Sequence, residues 1–144
     1  MTGEPMQSME GREIRFESLN CSLSAERLAN GVVIIRIAGD DVGDFGDAPF
    51  LTLEPWLQDS RRPIDLFIDA RKVRGASIDV SGEWAVWLGK HRTSWRTVTM
   101  LTNSAFIYLT AKFVRRFAEL EDIMRICTEP AVFEAALRGA VESV

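Results

Sequence analysis

The sequence predicts an α/β fold: a mixed sheet that opens with an N-terminal hairpin and carries about four helices, mostly on one face. Three observations predict it. Asn30-Gly31 lies between two strand-like runs and is a strong hairpin signal, because both residues tolerate positive φ. Val32 to Ala38 is a β-branched, nearly continuous apolar run, as in a strand covered on both faces. Beyond it, strand-like and helix-like patterns alternate, which calls for right-handed crossovers within one sheet.

Taken in order, Met1 to Arg12 is polar and expected to fray as a flexible tail, with the domain spanning residues 13–144. Glu13 to Leu19 alternates charged and apolar residues, the period of a half-buried strand, and Ser22 to Leu28 alternates more weakly. Gly39-Asp40-Asp41 is expected to close the Val32–Ala38 strand. Asp44 or Asp47 can cap a first helix, with Pro49 tolerated in its first turn and Pro55 expected to kink or split it. Ile64 to Ala70 is a strand ending at Asp69, and the polar Arg71–Ser81 stretch is expected to be a loop. Asp79 or Ser81 can start a second helix running to about His91. Thr97 to Thr102 reads as a strand, Asn103-Ser104 as a cap for a third helix to about Leu120, and Asp122 to Cys127 as a last strand. A final helix follows Pro130, with Val132, Phe133, Ala136 and Leu137 on its apolar side.

The chain of 144 residues fits one domain, and its 47% hydrophobic content can build a core without disulfides. Seventeen basic against 21 acidic residues give a net charge of −4, which argues against nucleic acid as the main partner. Cys21 and Cys127 are far apart, and a single histidine leaves no metal-ligand spacing; buried free thiols in a reducing cytosol are expected, with no cofactor. Residues 1–12 lack the apolar segment of a signal peptide, and no run approaches the ~18 apolar residues of a membrane span. A cytoplasmic protein is the expectation.

Four features are candidates for function. Asp69 ends a strand, where a carboxylate can either cap a loop or meet a ligand. Val80, Trp84, Trp87 and His91 recur at i, i+4, i+7 and i+11, so the stripe is either core or the wall of a pocket for an apolar ligand. The third helix has two apolar faces, one with Phe106, Leu109, Phe113, Phe117 and Leu120 and one with Ile107, Ala111, Val114 and Ala118. A surface helix shows one, so a partner or a second copy is expected to cover the other, with Tyr108 at the rim. Arg71, Lys72 and Arg74, with Lys90, Arg92 and Arg96, are either solvated charge or an anion-recognising rim. No nucleophile–base pair stands out, so an enzyme is not expected.

The element order resembles the STAS fold of anti-sigma factor antagonists and sulfate transporter tails. The resemblance rests on Val32 to Gly39, on Leu66-Phe67-Ile68-Asp69 followed by Val73, and on Asp79-Val80-Ser81-Gly82, which is similar to the family's Asp-Ser-Ser-Gly turn at a helix start. Within the family the chain is most similar to the divergent branch related to sporulation antagonists. The resemblance covers about Glu13 to Leu137 and implies a regulatory protein-binding domain, with Ser77 and the turn after it among its contacts. In family antagonists a serine of that turn is phosphorylated by a partner kinase. Asp79, Ser81 and Gly82 are the corresponding candidate turn here, but Val80 takes one serine position, Glu83 follows the glycine, and the preceding loop is about two residues longer. Asp79 and Glu83 would repel a phosphate on Ser81, so its modification is not expected. The chain thus reads as a cytoplasmic interaction domain, with an apolar small molecule or lipid as the alternative ligand.

Overall fold

A computed structural model describes residues 6–10 and 13–143. Seven strands form one sheet in sequential order: β1 (Met6–Glu10), β2 (Glu13–Glu17), β3 (Cys21–Leu28), β4 (Val32–Asp41), β5 (Ile64–Ala76), β6 (Trp95–Leu101) and β7 (Met124–Cys127). β1 to β4 pair antiparallel and β4 to β7 pair parallel. The helices are α1 (Ala48–Asp59), α2 (Ile78–Lys90), α3 (Ala105–Phe117) and α4 (Pro130–Val141).

The sequential order decides where the helices go. Crossovers of one handedness between successive neighbouring strands all fall on the same side of the sheet. Accordingly α1, α2 and α3 share one core with Val33, Ile35, Leu66, Ile68 and Val98. α4 follows the last strand, returns to no neighbour, and covers Val32, Ile34, Phe67 and Leu101 on the other face through Phe133. That division explains why β4 is apolar at nearly every position.

The hairpin turn forms at Asn30-Gly31, with φ of 62° and 73°. Asn30 donates to the carbonyls of Val141 and Ser143, tying the end of α4 to this turn. The polar start does not simply fray: Met6–Glu10 pairs with β2, whose outer edge offers unpaired backbone groups. Residues 1–5, 11 and 12 lie outside the described residues.

Other expectations need correction. Gly39-Asp40-Asp41 does not close β4 but extends it, pairing with Val73, Gly75 and Ala76 across two register shifts. The expected loop after Asp69 is therefore mostly strand. Gly39, at φ 93°, makes this extension: a Cβ there would collide with the Asn20 carbonyl, while Asp40 N–H donates to that same carbonyl at 2.9 Å. α1 runs unbroken through Pro55, because Pro55 and Leu51, whose carbonyl the proline leaves free, are both exposed to water. α3 ends before Leu120, since Glu119 at φ 58° reverses the chain and turns Leu120 into the core.

Asp65 of β5 is 2% exposed and is held by the Arg96 guanidinium in a two-pronged ion pair and by Thr97 Oγ1 at 2.7 Å. A buried carboxylate needs such partners. Removing Arg96 leaves Asp65 with the hydroxyl alone. We expect Arg96→Ala to destabilise the fold by about 2 kcal/mol in urea unfolding, between the values for exposed and buried pairs. A loss under about 0.5 kcal/mol would place the pair among inert surface contacts.

Candidate functional site

Parallel strands leave a crevice beyond their C-terminal ends, where α/β folds bind ligands. Here a cavity of about 80 Å³ lies between the sheet face and helices α2 and α3, and reaches the end of β4 at Asp41. Ile68 and Ala70 of β5, Leu88 of α2, Ala111 and Val114 of α3 and Met124 of β7 form much of its wall. The polar side chains on it are Asp41, Ser81 and Thr110, with the Trp84 indole beside them.

Asp41 ends β4 and is only 8% exposed. Its carbonyl accepts from Ser77 N–H at 3.0 Å, which joins the end of β4 to the start of α2. Its carboxylate accepts from Gly43 N–H at 3.4 Å. Burial pushes the carboxyl pKa up; the Gly43 bond opposes this, Asp44 adds to it, and the nearby Trp84 indole opposes it again. The neighbourhood is acidic: Asp44 accepts from Ser18 Oγ at 2.7 Å, Asp40 pairs with Arg74, and the Cys21 thiol is pushed up to about 12, by burial first and then by Asp41, Asp44 and Asp40.

The α2 start differs from its sequence reading. Ser77 is the cap, accepting from Val80 N–H at 3.1 Å, because Ile78 already begins the helix. Asp79 lies exposed in the first turn, favourably placed for the helix dipole. Ser81 is half-buried, donates to the Ser77 carbonyl at 3.0 Å and lines the cavity; Gly82 follows in the same turn.

The aromatic stripe is divided. Trp87 is buried, stacks on Phe50 at 5.1 Å between ring centroids and meets Trp95, so it belongs to the α1–α2 core. Its Nε1 has no hydrogen-bond partner among the described residues. His91 Nε2 lies 3.2 Å from Glu54 of α1, joining the two helices. Trp84 alone of the three reaches the cavity.

Asp69 is mid-strand, on the opposite face from the cavity. It binds Arg71 through both oxygens, and Arg71 reaches Glu134 of α4 at 3.5 Å. Arg74 pairs with Asp40, Lys90 with Glu54 and Arg96 with Asp65, so much of the suspected anion rim is engaged within the chain. Among the described residues no group of three metal-ligating side chains forms, and no helix is long and apolar enough to cross a membrane.

On α3 the structure decides between the two faces. Ile107, Ala111, Val114 and Ala118 pack inward, and Phe106, Leu109, Phe113 and Phe117 are each more than half exposed. Tyr108 is half-buried beside Lys112, whose Nζ lies 5.8 Å from the ring centroid. The structure thus brings Ser81 and Trp84 together with Asp41, and leaves Asp69, Trp87, His91, Phe106 and Phe113 elsewhere. Asp41 was missed as a site residue because it reads as a strand-closing aspartate; the usable signal was an acidic residue at the C-terminal end of a parallel strand.

A carboxyl whose folded pKa lies above its unfolded value holds a proton in the folded state at pH values where the unfolded chain has lost it. Asp41 therefore lowers stability as pH rises through that window, and the loss persists at neutral pH. The titratable groups around it are Asp40 (paired with Arg74), Asp44, the Cys21 thiol (neutral through this window) and Glu83, which lines an adjoining pocket with it. Asp41→Asn keeps an acceptor for Gly43 N–H. It should be more stable than the parent at pH 7 by thermal unfolding, with the gain shrinking towards pH 4. A variant less stable at pH 7 would show that the carboxylate is net stabilising.

No protein-family model and no curated protein matches the chain. Among solved structures it is similar to an uncharacterized protein of the DUF3478 family with a SpoIIAA-like fold from Shewanella loihica PV-4, at a TM-score of 0.62 and 14% identity, over 90% of this chain and 99% of that one. At that identity the likeness concerns the fold alone: this chain has a SpoIIAA-like, that is STAS-like, α/β architecture.

Proposed function

We propose that this chain is a non-enzymatic interaction domain that associates through the outer stripe of α3, with a second copy of itself as the partner. One observation carries the reading. Phe106, Leu109, Phe113 and Phe117 are 58%, 64%, 56% and 59% exposed at helical spacing, and the Phe113 and Phe117 rings lie 5.8 Å apart. Monomers seldom leave so many large apolar side chains contiguous in water. A two-fold contact covers both copies with one patch, and aromatics supply much of the energy of such contacts. The stripe lies outside the core, so its residues can change without a cavity forming inside.

The test is light scattering at micromolar concentration. We expect a dimer for the parent chain and a monomer with unchanged circular dichroism for Leu109→Glu and Phe113→Glu. A parent that stays monomeric overturns self-association. Binding to a different protein is the remaining form of the reading, and a pull-down lost in both variants would support it.

We also expect Ser81 to stay unmodified in the native host. Its hydroxyl is engaged with the Ser77 carbonyl, and a phosphate there would enter an apolar cavity beside Asp41. Abundant phospho-Ser81 in phosphopeptide mass spectrometry would overturn this and favour a switchable partner contact at α2.

A further inference from the structure

We infer that the pocket at the foot of the sheet, between the β3–β4 turn and the end of α1, is a binding site for a small organic carboxylate. The Arg27 guanidinium holds its head, and its apolar body lies against Leu28, Val32, Val33, Trp56 and Ile64. This goes beyond the association surface, since no residue of α3 lines the pocket.

The pocket has a volume of about 390 Å³, within the range of small-molecule sites. Its base is apolar and fixed: Val32, Val33 and Ile64 stand at the starts of β4 and β5 and are buried, and Trp56 of α1 is 9% exposed. One wall is the β3–β4 turn, whose Asn30 is tied to the carbonyls of Val141 and Ser143. The other is the end of α1, where Ser60 Oγ donates to the Arg62 carbonyl and shapes the loop into β5.

Arg27 is the charged side chain on this wall. Its guanidinium lies over the Trp56 ring, 5.7 Å from the centroid, so one face is covered and the N–H edges stay available to an acceptor. Its ion contact is with Asp59 Oδ2, 4.0 Å away on a side chain that is 76% exposed. Such a pair is worth little, and most of the five donors of the fork are unspent. A carboxylate meets a guanidinium through two parallel charge-assisted bonds; an amide lacks the charge, and an ammonium is repelled.

The surrounding charge has the same sign. Arg61 and Arg62, next to Ser60, are exposed, and neither enters an ion pair among the described residues. Against these three guanidiniums stand Asp59, Glu142 between the two carbonyl partners of Asn30, and the partial negative charge at the end of α1. Three full positive charges outweigh them, in a chain that carries −4 as a whole.

Calorimetric titration of the full chain at pH 7 with benzoate and with its uncharged isostere benzamide tests the proposal. We expect saturable binding of benzoate, about tenfold tighter than that of benzamide and weakened by salt. Arg27→Gln should lose most of this preference with unchanged circular dichroism. Asp59→Asn, which removes the competing carboxylate, should bind benzoate more tightly than the parent. If Arg27→Gln does not fold, the exposed pair Arg61→Gln and Arg62→Gln carries the test and should weaken benzoate about threefold. Equal or tighter binding of benzamide, no saturable binding of benzoate, a preference unchanged in folded Arg27→Gln or in the Arg61/Arg62 variant, or weaker binding in Asp59→Asn would each overturn the proposal. Dimerisation is read separately by light scattering, so failure here leaves the α3 reading standing.

Discussion

The long parallel pairing of β4 with β5 is the constraint on which the other elements depend. It runs from Val32 against Asp65 to Asp41 against Ala76, across two register irregularities. Gly39 makes its far half feasible, since only a residue without Cβ can lie against the Asn20 carbonyl there. By carrying both strands past the point where their apolar runs stop, the pairing brings Asp41 to the start of α2. The Asp41 carbonyl then meets Ser77 N–H, and Ser77 in turn caps the helix. The cavity, the position of Ser81 and the burial of Asp41 all descend from that extension.

Sheet order governs the other surface. Strands added one after another, with crossovers of one hand, stack α1, α2 and α3 side by side. α3 leads to β7, the last strand, so no further crossover helix covers its outer side. Its inner stripe of Ile107, Ala111, Val114 and Ala118 is small enough for a close fit, and Gly89 of α2 meets Ala118 across the contact. Its outer phenylalanines are left in water for the same topological reason. α4, free of any following strand, fills the opposite face instead.

The aspartates of the two central strands show how environment separates residues of one type. Asp65 is buried with a guanidinium and a hydroxyl, a satisfied charge. Asp69 is joined through Arg71 to Glu134 and so fastens α4 to the sheet. Asp41 is buried among other acids, with a peptide N–H and an indole for company. The first two are structural by their partners; the third accepts from the Gly43 N–H, and its burial raises its pKa.

Local chemistry was enough to read much of this molecule from its residues. Asn30-Gly31 declared its hairpin because few residue pairs tolerate two positive φ angles, and the two-sided apolar run of β4 declared a central strand. The resemblance to the STAS fold, carried by three short motifs, agrees with the SpoIIAA-like architecture. Periodicity also identified two apolar stripes on α3, yet it could not say which one faces the sheet, because both obey the same helical repeat. Only packing against α2 and β5 chose Ile107, Ala111 and Val114 for the inside. Likewise nothing local marks Gly39-Asp40-Asp41 as strand, since its pairing partners lie some 35 positions further along, at Val73–Ala76. Elements that satisfy their own hydrogen bonds and turns were legible in sequence; the depth of Asp41, the cavity beside it and the exposed face of α3 were decided by contacts between distant segments.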